Sequence, residues 1–194
     1  MRRLVFATNN AHKLREVRDL LEGYAEILSL NDIGCQVEIP EHGLTLEDNA
    51  WAKANYVYCN FGYDCFADDT GLEIDTLGGK PGVRSARYAG EECDAGKNIR
   101  KVLEELRDAP DRTARFRTVI CLIVEGEEHY FEGVAEGRII EEKRGAEGFG
   151  YDPVFYLPGA DQTMAQLPPE VKNRISHRAR ALRAIIPKMV SAIA

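Results

Sequence analysis

Apolar residues along this chain fall alternately into short unbroken runs and helically spaced stripes. Leu4-Val5-Phe6-Ala7, within Arg3 to Ala7, reads as a buried strand. From Lys13 to Leu21 the pattern changes to Leu14, Val17, Leu20 and Leu21, the spacing of an amphipathic helix. Thr45 followed three residues later by Asp48 forms a capping-box pattern, opening a helix with Leu46, Ala50, Ala54 and Val57 along one side. A strand is predicted near Asp64 to Ala67, followed by the Gly-rich stretch Gly78-Gly79-Lys80-Pro81-Gly82. Asp94 caps a predicted helix bearing Ile99, Val102, Leu103 and Leu106, which Pro110 ends. Ala114 to Val124 and His129 to Ala135 are β-rich runs joined by Glu125-Gly126-Glu127, a hairpin signal. Asp152 to Leu157 reads as a further strand. The tail from Ser176 carries Ala181, Leu182, Ile185, Ile186 and Met189 at helical spacing, with a kink expected at Pro187. The sum is an α/β protein with a mixed central sheet flanked by helices. With no linker, repeat or low-complexity tract, residues 1–194 are expected to form a single domain.

Composition narrows the function classes. The chain is long enough for a real core, and its net charge of −7 is interrupted by no long basic run. That argues against a large nucleic-acid footprint but leaves room for a small anion held by a few converging cations. Five scattered cysteines, odd in number and without a C-x-x-C pair, suggest neither a disulfide framework nor a zinc site. The first apolar run is too short for a signal peptide, and nothing approaches a membrane span, so a cytoplasmic protein is expected.

The candidate chemistry is densest at Ala67-Asp68-Asp69-Thr70-Gly71-Leu72-Glu73-Ile74-Asp75, four carboxylates in nine residues. In a strand, Asp68 and Asp69 point to opposite faces, so one is expected to enter the interior or a cleft, where a divalent cation would offset the repulsion. Asp-Asp-Thr-Gly is equally good turn chemistry. Thr8, Asn9, Asn10, Ala11, His12 and Lys13 lie between the first strand and first helix, where backbone N–H groups, polar side chains and Lys13 suit a phosphate; an Asn-capped helix is the plainer alternative. Glu41 lies in a polar loop and offers a hard oxygen for Mg²⁺, whereas most loop glutamates are simply solvated. Lys53 has the spacing of a snorkelling surface lysine. In Gly148-Phe149-Gly150-Tyr151-Asp152-Pro153, glycines would let a planar ring stack against Phe149, although core aromatics beside a turn give the same pattern. Lys172-Asn173-Arg174-Ile175-Ser176-His177-Arg178 gathers donors at the start of the last predicted helix, with Ser176 a natural N-cap.

Taken in order, T-N-N-A-H-K at 8–13, the Glu41 loop with Thr45 and Asn49, A-D-D-T-G-L-E-I-D at 67–75, L-G-G-K-P-G-V-R-S-A-R-Y at 77–88, G-F-G-Y-D-P-V-F at 148–155 and K-N-R-I-S-H-R at 172–178 closely resemble the inosine triphosphate pyrophosphatase family nearly end to end. Asp48 departs from the family's more usual Glu. The resemblance implies a two-lobed α/β fold with the active cleft between the lobes, and a homodimer. It implies Mg²⁺-dependent hydrolysis of non-standard purine nucleoside triphosphates (dITP, ITP, XTP) to the monophosphate and pyrophosphate. By motif, residues 8–13 and Lys53 would hold substrate, Glu41 and Asp69 would ligate Mg²⁺, and Asp69 would be the catalytic base with Asp68 close by. Thr70 would contact substrate, Phe149 would stack on the base, and Gly150, Tyr151 and Asp152 would complete its pocket. Lys172, His177 and Arg178 would read the base. A pyrophosphatase for other bases and a nucleotide-sensing module are the competing readings; the full carboxylate set disfavours the sensor.

Overall fold

The computed structural model describes residues 2–191. In chain order it contains β1 (Arg2–Phe6), α1 (Ala11–Leu21), β2 (Ala25–Leu28), α2 (Leu46–Phe61), β3 (Cys65–Ile74), β4 (Lys80–Gly82) and α3 (Ala95–Glu105). Then follow β5 (Thr113–Val124), β6 (Glu127–Ile139), β7 (Phe155–Leu157), β8 (Gln162–Thr163), α4 (Pro169–Ile175) and α5 (His177–Ser191), which contains Pro187. The strand order is β2-β1-β3-β5-β6-β7-β8, with β4 on β3. Pairing is mixed: β1 is parallel to β2 and β3, whereas β3–β4, β6–β7 and β7–β8 are antiparallel. Among the described residues, no helix is long and apolar enough to cross a membrane.

The chain forms two compact units. Unit 1 comprises Met1–Asp69, Thr118–Gly133 and Arg178–Ala194; unit 2 comprises Thr70–Arg117 and Val134–His177. In unit 1 the sheet is covered on both faces, which is why its strands read as unbroken apolar runs. Leu4, Phe6, Phe66, Ile120 and Leu122 pack with Val17 and Leu21 of α1 and with Ala181, Leu182 and Ile185 of α5. Val5, Ala7, Cys65, Ala67, Cys121 and Ile123 cluster instead with Ala50, Ala54 and Val57 of α2. The capping box that begins α2 is formed: Thr45 Oγ1 accepts from the Asp48 N–H and the Asp48 carboxylate accepts from the Thr45 N–H. In unit 2, Ile99 and Val102 of α3 join Leu72, Ile74, Phe116, Ile139 and Phe155 in a separate core.

Three local expectations change. The stretch after Ala67 is strand through Ile74, not a turn. The strand expected over Asp152 to Leu157 begins only at Phe155. Residues 150–154 instead form consecutive turns, with the Asp152 N–H donating to Phe149 O and the Phe155 N–H to Tyr151 O. Pro153 lacks an N–H, which disfavours continuing a ladder there. Lys172 lies not on the last helix but on the separate short helix α4, which ends at Ser176. The strand β2 was not signalled in the sequence, because four residues of A-E-I-L give too little alternation to stand out.

Candidate active site

Strand alternation carries Asp68 to the face that α1 and α5 cover and Asp69 to the face that α2 covers. Both are buried, at 1% and 8% exposure, because each face of this sheet is covered. Asp68 Oδ1 accepts from Lys13 Nζ at 3.0 Å and Oδ2 from Arg178 Nε at 3.1 Å. Arg178 also donates through a terminal nitrogen to Glu16 at 2.6 Å. Asp69 Oδ2 accepts from Asn49 Nδ2 at 2.9 Å, and Asn49 Oδ1 accepts from the Gly43 N–H at 2.8 Å. One buried amide therefore ties the loop after Glu41 to the second aspartate. Lys53 is buried rather than snorkelling; its ammonium pairs with Glu41 and donates to the Asp68 carbonyl at 2.7 Å.

The two aspartates are shifted in opposite directions. Burial pushes the Asp68 carboxyl up, but Lys13, Arg178 and Lys53 outweigh it and hold the group well below the usual carboxylate range. Asp69 is raised: burial dominates and Glu41 adds repulsion, against Lys53 and Lys13. Lys13 is lowered, because burial with repulsion from Lys53 and Arg178 outweighs its attraction to Asp68. Burial also lowers Lys53, yet Asp69, Glu41 and Asp68 raise it overall. Asp68 is thus a fixed anion locked among cations. Asp69 is a carboxylate with enhanced proton affinity, the direction a general base near neutral pH requires.

The first loop forms the Asn-capped helix, the plainer of its two readings. Asn10 is the N-cap of α1, its side chain accepting from the His12 and Lys13 N–H groups, while Thr8 Oγ1 accepts from the Asn10 N–H. Two helix N–H groups are therefore used internally. Asn9, Ala11 and His12 are exposed and Thr8 is half-buried.

In unit 2 the residues expected around a base form a second cluster. Asp152 Oδ2 accepts from the Phe149 N–H at 2.9 Å and from Lys172 Nζ at 2.8 Å, and that ammonium lies 4.9 Å from the Phe149 ring centroid. Gly148 makes this possible: its φ is +76°, and a Cβ there would stand 2.1 Å from Asp152 Oδ2. Gly150 follows the ring, and the Tyr151 side chain is buried. His177, the first residue of α5, stacks on Phe116 with centroids 4.7 Å apart. Thr70 belongs to unit 2, half-buried on β3.

Residues 8–13, Glu41, Lys53, Asp68, Asp69 and Arg178 thus belong to unit 1; Thr70, Phe149 to Asp152, Lys172 and His177 belong to unit 2. Arg178, expected to read a base, pairs with Asp68 and Glu16 in unit 1. Two contributors escaped the sequence reading, and Asn49 stood in the Glu41-loop motif with no role of its own. Asn49 and Glu16 look like ordinary helix polar residues, and Phe116 like any inward strand aromatic. The T-N-N-A-H-K-L-R-E spacing was the one available signal for Glu16, one helical turn after Lys13 on the same face.

Whether a divalent cation fits is decided by the donors. Glu41 and Asp69 offer hard carboxylate oxygens, and their charges repel each other. Among the described residues, no group of three or more His, Cys, Asp or Glu is arranged to hold a metal. Two carboxylates suit Mg²⁺, which keeps waters and takes phosphate oxygens rather than an all-protein cage.

The chain is similar to known proteins along nearly its whole length. The Ham1 family model matches residues 4–188. The chain is 52% identical over 183 residues to the dITP/XTP pyrophosphatase of Flavobacterium psychrophilum, covering 94% of this chain and 96% of that protein. It is 54% identical over 183 residues to the dITP/XTP pyrophosphatase of Porphyromonas gingivalis, covering 94% of each. A solved HAM1 protein structure from Coxiella burnetii superposes with a TM-score of 0.90 at 38% identity, covering 98% of this chain and 100% of that one.

Proposed function

The chain belongs to the Ham1 family, and on that premise we propose that it hydrolyses dITP, ITP and XTP to the monophosphate and pyrophosphate with Mg²⁺. The observation that carries the reading is the Asp68–Asp69 pair, opposite faces of one strand set to opposite electrostatic tasks. Lys13, Lys53 and the 8–13 loop take the triphosphate, whose roughly four negative charges the lysines offset. Glu41 and Asp69 would hold Mg²⁺, which when bound would neutralise phosphate charge and stabilise the leaving pyrophosphate. Asp69 orients water and accepts its proton; Asn49 fixes the carboxylate for that task. Asp68 sets the position of Lys13 and is itself held by Arg178.

The base goes to Phe149 and its neighbours. Phe149 stacks on it, Thr70 contacts the substrate, and Lys172, His177 and the backbone around Gly150, Tyr151 and Asp152 supply the polar edge. Hypoxanthine and xanthine present an O6 acceptor to donors there, whereas adenine presents an amino donor and leaves those donors unpaired. A homodimer in the cytoplasm completes the reading.

A nucleotide panel with Mg²⁺ tests it: dITP and XTP are expected to turn over far faster than dATP or pyrimidine triphosphates. Preference for a pyrimidine would move the enzyme to another substrate class, and tight binding without turnover would make it a sensor. In the same assay, Phe149→Ala is expected to raise KM for dITP about tenfold or more, since a base–aromatic stack is worth about 1–3 kcal/mol. An unchanged KM would remove Phe149 from the base contact.

A further inference from the structure

The segment L-G-G-K-P-G-V-R-S-A-R-Y at 77–88 has no role in the reading above, yet one of its side chains touches the backbone of β3 and its carbonyl meets the base segment. Ser85 is buried at 8% exposure. Its Oγ accepts from the Leu72 N–H at 2.8 Å and donates to Gly82 O at 2.6 Å. Its carbonyl accepts from the buried Tyr151 hydroxyl at 2.7 Å. The contact depends on close approach: a Cβ on Gly71 would stand 2.8 Å from Gly82 O, so only glycine lets β3 and β4 meet there. Just beyond, buried Asn98 holds the segment by accepting from the Ala89 N–H at 2.7 Å and donating to Ala86 O at 2.8 Å.

We propose that Ser85 is a positioning residue, which fixes the strand just after Thr70 and the Phe149–Asp152 turn in one geometry for the substrate. The inference rests on the reading that Thr70 and this turn contact the nucleotide. Ser85 touches no substrate; it acts through Leu72, two residues beyond Thr70, and through Tyr151, two residues beyond Phe149. The hydroxyl is matched to this place, because a single Oγ satisfies one buried donor and one carbonyl at once. An alanine leaves the Leu72 N–H without that acceptor and frees both segments to shift. Misplacement by about 1 Å costs on the order of a hundredfold in rate.

The test compares wild type, Ser85→Ala, Ser85→Thr and Tyr151→Phe, with thermal melts run beside kinetics on dITP and dGTP. In folded Ser85→Ala we expect kcat/KM for dITP to fall by about a hundredfold, together with a smaller dITP-to-dGTP preference. Ser85→Thr, which keeps the hydroxyl, is expected to recover most of both. Tyr151→Phe removes only the bond to the Ser85 carbonyl and is expected to raise KM for dITP more than it lowers kcat. Wild-type kinetics and preference in Ser85→Ala, with only the melting temperature lowered, would make Ser85 purely structural and overturn the proposal. Should Ser85→Ala not fold, unchanged kinetics in Tyr151→Phe does the same. A wild-type chain that binds dITP without hydrolysing it shifts the readout to dissociation constants. A wild type that neither binds nor hydrolyses purine nucleotides overturns the base reading, and this inference with it.

Discussion

Asp69→Asn is expected to lose about a thousandfold in dITP turnover, the range that removal of a positioned general base produces, while melting no lower than wild type. The second half of that expectation is the sharper one. Asp69 has its carboxyl pKa raised in the fold, with burial as the main cause. An acid with a folded pKa above its unfolded value weakens the native state wherever it must ionise, so its charge is a cost at neutral pH. Asparagine is isosteric and neutral, and its amide oxygen still accepts from Asn49. Activity and stability therefore separate at this residue. Asp68→Asn should behave the opposite way. Its folded pKa is depressed, so its contribution to stability is present above the unfolded carboxylate pKa and lost only as pH falls through the folded one. At pH 7 that contribution is whole, and the amide forfeits it. Melting curves of both variants at pH 7, with dITP turnover beside them, check the contrast. A large loss of stability in Asp69→Asn, or none in Asp68→Asn, would mean that the two carboxylates have been given each other's roles.

Arg178→Met is expected to cost about 3 kcal/mol of stability, because removing one member of a buried ion pair strands its partner. Arg178 is 1% exposed and bridges Asp68 and Glu16. Methionine fills some of the volume but takes one cation from both Asp68 and Glu16. Lys13, drawn to Asp68 and lowered by burial and its cationic neighbours, also changes its surroundings, so phosphate binding is expected to weaken in the same variant. Denaturant unfolding of Arg178→Met, Asp68→Asn and the double variant measures the coupling. The double variant should be more stable than the two single losses added together predict, since the second change removes a buried charge that the first left with one cation fewer. Simple additivity would show that the bridge carries no energy of its own.

Much of this was legible in the sequence, and the pattern of what was not is physical. Leu4 to Ala7, the helix from Lys13 and the Thr45 capping box are local signals, and each element forms where its signal lies. The Asp68–Asp69 pair was legible as a conflict, because alternation forces neighbouring side chains to opposite faces. That both would be buried was not: it depends on α1 and α5 covering one face and α2 the other, which no local spacing encodes. Lys53 looked like a surface lysine for the same reason; its partners Glu41 and the Asp68 carbonyl lie 12 and 15 residues away. Asn49 stands in the Glu41-loop motif without a role and Glu16 outside the motifs, and both acquire meaning only through Asp69 and Arg178. Turns after Phe149 read as strand because apolar Val154 and Phe155 dominate the pattern, whereas the Asp152 side chain and Pro153 decide the backbone.

The central claim is cleavage between the α and β phosphates of a purine nucleoside triphosphate. Incubating the wild-type protein with dITP and Mg²⁺ in ¹⁸O-labelled water, then identifying products by ³¹P NMR and mass spectrometry, tests it most directly. The account predicts pyrophosphate and dIMP, with the label in the dIMP. Orthophosphate and dIDP, or label in the pyrophosphate, would contradict it.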